Sequence, residues 1–268
     1  METFLKIEEV QENIEEINFN YEKEIELLNQ KYGKLKKPHL DSIQELVEGK
    51  KENLPKIPSF WLHLLKNSGL FDRLEGGLIE ITKEDEEALK FLNQIKIKEE
   101  FTETHQTFTL DFIFNENPFF SNEKLTKVFS KKYYKDYKSM IEDTKHVHGE
   151  NCNHDHEEEE DVEEEIKPTG TKIEWKEGKN LQSKLVTKVL KGNKKKNKTE
   201  KKIQKLENCE SFFNFFNNFD EDEVNEEHWE ILNELRSDVL QDPFYYYMEP
   251  NYDDEEEFDE EDEDDDEE

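Results

Sequence analysis

His146, His148, Cys152, His154 and His156 place four imidazoles and a thiol within eleven residues. Such groups suit zinc, copper or nickel. The spacing H-x-H-x3-C-x-H-x-H matches no closed zinc fold, and no apolar residues flank it to pack around an ion. We assign it neither a metal nor a cofactor. Catalytic patterns are equally sparse: the chain has no G-x-S-x-G, no H-E-x-x-H and no G-x-G-x-x-G. "EGKN" around Gly178 and Lys179 lacks the rest of a phosphate loop. Carboxylates abound, but abundance is not a buried pair with separated pKa values. The expectation is a protein that is not an enzyme.

Charge is the dominant chemistry. The net charge is −33 over 268 residues, and it is uneven. From Asp253 to Glu268 fifteen of sixteen residues are acidic, the exception being Phe258. Such a run repels itself and has nothing to bury, so it is expected to be a disordered tail. Its candidate contacts are Asp253, Asp254, Glu255, Glu256, Glu257, Asp259, Glu260 and Glu261. A second group, Asp220, Glu221, Asp222, Glu223, Glu226 and Glu227, fills six of eight positions before a helical pattern. These carboxylates suit a very basic partner, through many weak, salt-screened contacts. They also favour the helix N-terminus they precede. The opposite sign gathers in Lys194, Lys195, Lys196, Lys198, Lys201 and Lys202, which suit weak DNA contact or an import signal, or form a solvated linker.

Something must hold these groups. Ile7, Ile14, Tyr21, Leu28 and Leu35 recur every seven residues. Val10 and Ile17, then Ile25 and Tyr32, fill the intermediate positions, which predicts one long helix with a drifting heptad seam. Pro38 is expected to kink it and Gly49 to stop it. So narrow a stripe needs a second long helix, and none follows, so the expected partner is another copy of the chain. "LPKIPSFWLHLLKNSGL" reads as a short helix with Pro58 at its first position and Phe60, Trp61, Leu64 and Leu65 on one face. "ITKEDEEALKFLNQ" reads as another, capped by Thr82 with Asp85 three residues on.

The hydrophobic period then changes from 3.6 to 2. Ile95, Ile97 and Phe101 share one face of a strand, and Phe108, Leu110, Phe112 and Phe114 share one face of the next. "KLTKVFSKKYY" and "TGTKIEWKEG" complete a four-stranded antiparallel sheet with one apolar face. Phe212, Phe215, Phe216 and Phe219, and then Trp229, Leu232, Leu235 and Val239, fall at helical spacing and are expected to cover it. The fold class is α+β. The expected parts are a dimerisation helix over 1–50, an α+β domain over 51–250 with disordered inserts near 142–168 and 184–207, and the tail from 251. Cys152 and Cys209 form no disulfide framework, which suits a reducing compartment. The N-terminus does not read as a signal peptide, and no stretch is apolar enough to span a membrane.

The order of "QKYGKLKKP", "IPSFWLHLLKN", "DFIFNENPFF", "GTKIEWKEGKNL", "ESFFNFFNNF" and "DPFYYYMEPNYDDEEE" resembles the nucleosome assembly protein family, most closely its SET branch. The resemblance implies a headset-shaped homodimer joined by paired helices, each subunit carrying an "earmuff" domain whose underside, near the fourth strand and the last helix pair, faces the histone. It implies an ATP-independent histone chaperone that binds core histones and hands them to DNA, located in nucleus and cytoplasm. The alternative it implies is an inhibitor of a protein phosphatase or another chromatin enzyme.

Overall fold

A computed structural model describes residues 2–51, 54–71, 79–102, 104–141, 168–190, 201–218 and 222–249. Helix α1, Glu2–Val47, runs 46 residues, about 70 Å at 1.5 Å per residue. Pro38 lies inside it without ending it. The carbonyl that proline frees on the turn before costs little on an exposed face, and that of Pro38 itself accepts from Ser42 Oγ at 3.0 Å. Gly49, at φ 69°, turns the chain out beyond the last turn, as a residue without a Cβ can.

Short helices α2, Phe60–Ser68, and α3, Lys83–Leu89, follow. Helix α2 begins two residues after Pro58, with Ser59 as its N-cap, so the proline precedes the helix rather than opening it. Phe60, Trp61, Leu64 and Leu65 are buried as their spacing requires. Thr82 and Asp85 form the reciprocal capping box of α3.

Strands β1, Leu92–Phe101, β2, His105–Phe114, β3, Lys124–Lys132, and β4, Thr169–Gly170, form an antiparallel sheet in that order. Its register sets Ile95 opposite Phe112, Ile97 opposite Leu110, and Phe108 opposite Phe129, so the apolar residues share one face. The fourth strand is shorter than expected: beyond two ladder residues, only an isolated bridge between Phe120 and Trp175 continues the pairing. Gly170 explains part of this. A Cβ there would meet the Phe216 carbonyl oxygen at 1.9 Å, so β4 lies against the element that covers the sheet.

That element differs from the expected α-helix. Phe212–Phe216 is a 3₁₀ helix. A single-faced α-helix would bury one stripe, but Phe212, Phe213, Phe215 and Phe216 are all buried. Phe212 and Phe216 pack edge-on to Phe112 in β2, at 5.6 and 5.4 Å between ring centroids. Phe213 meets Phe120 and Trp175 at 5.6 and 5.2 Å. A short tight turn, enclosed on both sides, satisfies that burial better than a longer helix. Phe219 lies outside the described residues. Helix α4, Asp222–Glu234, runs into a π-helical turn, Leu235–Val239, and α5, Pro243–Met248, closes on α2 with Tyr247 stacked on Phe60 at 4.8 Å.

The stretch near 184–207, expected to be a disordered insert, carries two strands among its described residues. β5, Ser183–Leu190, and β6, Lys201–Asn208, form a separate two-stranded ladder. Their register sets Leu185 opposite Leu206. Both leucines remain exposed, so main-chain pairing rather than burial organises the hairpin.

Candidate functional site

Helix α4 is the scaffold of the acidic surface. Its inward face carries Asn225, His228, Ile231 and Leu232, all buried, and the π turn continues that face with Leu235 and Val239. Trp229 packs against Phe108 at 5.3 Å and Phe129 at 6.1 Å, with Lys131 Nζ 5.4 Å from its ring. His228 lies 4.9 Å from the Phe215 ring. Burial, with the nearby Lys127 charge, holds its imidazole down at about 3, so it is neutral at physiological pH. A helix gripped along this face must turn its other face outward. Glu226 and Glu230, four residues apart, are exposed there. Like charges at this spacing repel mildly, so the helix carries the pair at a small cost in stability.

The six clustered acids therefore divide. Glu226 is exposed and Glu227 half-buried on α4. Asp222 and Glu223 belong to its first turn by backbone. Asp220 and Glu221 lie outside the described residues, as do the tail acids Asp253, Asp254, Glu255, Glu256, Glu257, Asp259, Glu260 and Glu261. Also outside are Lys194, Lys195, Lys196, Lys198 and the His146–His156 group, while Lys201 and Lys202 belong to β6 by backbone. Among the described residues, no group of His, Cys, Asp and Glu is arranged to hold a metal ion.

The α1 seam is more sharply drawn. Ile7, Val10, Ile14, Ile17, Tyr21, Ile25, Leu28, Tyr32 and Leu35 are all 40–66% exposed. Meanwhile the same helix docks on its own chain. Glu15 accepts from Tyr137 Oη at 2.6 Å, Phe19 meets the Tyr137 ring at 6.1 Å, and Lys23 donates to the Lys135 carbonyl. Further along, Glu26 pairs with Arg236, Gln44 donates to the Asn93 carbonyl at 3.0 Å, and Val47 is buried. At about 100° per residue, most of these contacts cluster roughly 140° around the helix from the seam. The helix thus has one face committed to its own chain and a nearly opposite apolar face without a cover among the described residues.

Three positioning groups were not evident in the sequence. Asp85 does more than cap α3: it also accepts from Ser211 Oγ at 2.7 Å and Phe212 N at 3.0 Å, tying α3 to the 3₁₀ helix. Burial pushes its carboxyl above the usual aspartate range, against the hydrogen bonds that favour its charged form. Arg236 donates to Glu99 at 2.9 Å and also pairs with Glu26, joining the π turn, β1 and α1. It is one of two arginines in a lysine-rich chain, which was the available signal. Lys127 sits wholly buried on the apolar face of the sheet.

The family model described as nucleosome assembly protein (NAP) matches residues 2–168 and 144–268. The chain belongs to the nucleosome assembly protein family. Protein SET of Drosophila melanogaster is 32% identical to this NAP-family chain over 254 residues, covering 93% of the chain and 74% of that protein. NAP1-related protein 1 of Arabidopsis thaliana is 30% identical over 191 residues, 71% of the chain and 57% of that protein. These relatives support its place in the SET branch. Among solved structures, Nucleosome Assembly Protein 1 from Plasmodium knowlesi superposes with a TM-score of 0.54 at 26% identity, covering 92% of the chain and 95% of that structure. Ccp1 superposes with a TM-score of 0.54 at 17% identity over 90% of the chain and 94% of that structure, a likeness of fold alone. The long helix followed by the sheet and its covering helices is thus a NAP-family architecture.

Proposed function

We propose that this NAP-family chain is a histone chaperone that works as a homodimer and needs no ATP. The observation that carries this reading is the acidic face of α4, held outward by the buried stripe His228, Ile231, Leu232 and Leu235. Core histones bind DNA through dense Lys and Arg contacts to phosphates, and free histones attach to DNA non-specifically. A rigid acidic face supplemented by an anionic tail shields those cations through many individually weak contacts. Because each contact is weak, DNA with its higher charge density takes the histone away, and nucleosome assembly follows. Carboxylates on a fixed helix set orientation, while the tail acids add local negative charge.

The homodimer forms through the α1 seam, which two copies cover for one another. The lysine-rich hairpin β5–β6 is suited to touching DNA phosphates during the transfer, or to serving as an import signal. We expect the protein in the nucleus and the cytoplasm, where histones are handled. The deciding experiment is a plasmid supercoiling assay with purified core histones, topoisomerase and no ATP. Supercoils should accumulate with the chain present and diminish with the E226K/E230K variant. If histones precipitate on the plasmid as they do without the chain, the reading fails.

A further inference from the structure

A groove of about 630 Å³ runs between the C-terminal half of α1 and the edge strand β1. Its floor is apolar, with Leu40, Ile43, Ile95, Ile97 and Leu240. Its rim is cationic: Lys34 and Lys37 from the helix, Lys96 and Lys98 from the strand, all exposed. Lys34 and Lys96 make no ion pair among the described residues. Lys37 and Lys98 have only exposed local partners, Asp41 at 3.5 Å and Glu100 at 2.8 Å. Asp41, Glu99 and Asp111 also line the groove and pair with Lys37, Arg236 and Lys124, which leaves Lys34 and Lys96 as the lining cations without an ion pair among the described residues. The chemistry fits an extended acidic peptide with an occasional aromatic residue to rest on the floor.

The chain itself contains such a peptide. We propose that this groove binds the C-terminal segment 251–268 of the same chain. Pro243, the first residue of α5, lines the groove. α5 is six residues long, so it carries the chain about 9 Å from there. The eighteen residues from Asn251 to Glu268 can then reach about 60 Å when extended. Tyr252 and Phe258 are the aromatic residues of that segment, with carboxylates on both sides of Phe258. They supply the apolar anchor, and the acids meet the lysine rim. Tethering keeps the segment at an effective concentration of roughly millimolar, so contacts too weak to bind a free peptide suffice. The same weakness lets a polycation strip the segment out. The groove therefore masks the tail until a basic ligand competes for it, a property separate from whether that ligand is a histone.

The test uses the full chain with p-benzoylphenylalanine introduced at Phe258. Photolysis should join this position to residues within 29–44, 94–101 and 240–243 of the same chain. Mixed heavy- and light-isotope protein distinguishes links within a chain from links between chains. The yield should fall at least about fivefold in about 0.5 M salt. It should fall similarly in the K34E/K96E variant, or in K34Q/K96Q if the charge reversal disturbs the circular dichroism spectrum. Links concentrated on lysines 184–205, links scattered over the surface, links only between chains, or a yield indifferent to these substitutions would each overturn the proposal.

Discussion

Lys127 Nζ, inside the apolar face of the sheet, donates a 2.5 Å hydrogen bond to the main-chain carbonyl of Asn217. The two residues are ninety positions apart, yet this bond fixes where the chain leaves the 3₁₀ helix for the acidic segment ahead of α4. The Phe215 ring lies 5.7 Å from the same ammonium. A buried lysine amine thus serves as the cap of a short aromatic turn.

Burial brings the Lys127 ammonium down from 10.5 to about 7. Between those values the unfolded chain holds a proton that the folded chain gives up. Stability should therefore rise with pH from about 7 towards 10, by at most about 1.4 kcal/mol per pH unit. Denaturant unfolding across this range should show the rise in the native protein and a flatter profile in Lys127→Met.

The buried imidazole of His228 gives the same sign at lower pH. Its folded value near 3 lies below the ordinary 6.5, so only the unfolded chain takes up the proton in between. Stability from this group is present above pH 6.5 and is lost as pH falls towards 3. The His228→Gln variant should lack that loss, so the two profiles should converge by about 1 kcal/mol per pH unit below pH 6. Parallel profiles would mean that His228 is solvated or charged in the folded protein.

Asp85 joins two elements through one carboxylate. Asp85→Ala removes the carboxylate half of the α3 capping box and leaves the Ser211 hydroxyl and Phe212 N–H buried without their acceptor. The expected cost is about 3 kcal/mol, read as a lower urea midpoint at unchanged slope.

The bare seam of α1 predicts oligomeric state. Replacing Ile14, Tyr21 and Leu28 together with Asp should halve the mass seen by light scattering while the strand signal in circular dichroism persists. These side chains lie away from the docked face of the helix, so the domain has no reason to unfold. An unchanged mass would remove the seam from the dimer.

Histone affinity should weaken steeply as ionic strength rises, because each exposed carboxylate contact is screened beyond about 8 Å in physiological salt. Removing residues 253–268 should lower the affinity further and leave the fold intact by circular dichroism. A salt-insensitive affinity would contradict multivalent shielding.

What the sequence determined by itself was periodic. The seven-residue spacing from Ile7 to Leu35 marked α1, and the two-residue spacing through Phe108, Leu110, Phe112 and Phe114 marked β2 and its inward face. The Thr82–Asp85 cap and the acidic runs were equally legible, because each depends on neighbours along the chain. Only the tertiary structure decided the rest. It placed Lys127 opposite Leu110 in the core, made Asp85 an acceptor for Ser211 and Phe212, and brought Arg236 to Glu26 and Glu99. It also drew the Phe-rich segment into a 3₁₀ turn enclosed on both sides. The physical reason is desolvation. A lysine or an aspartate is the same letter whether hydrated or buried, and which one it becomes depends on segments ninety or more residues away that close over it.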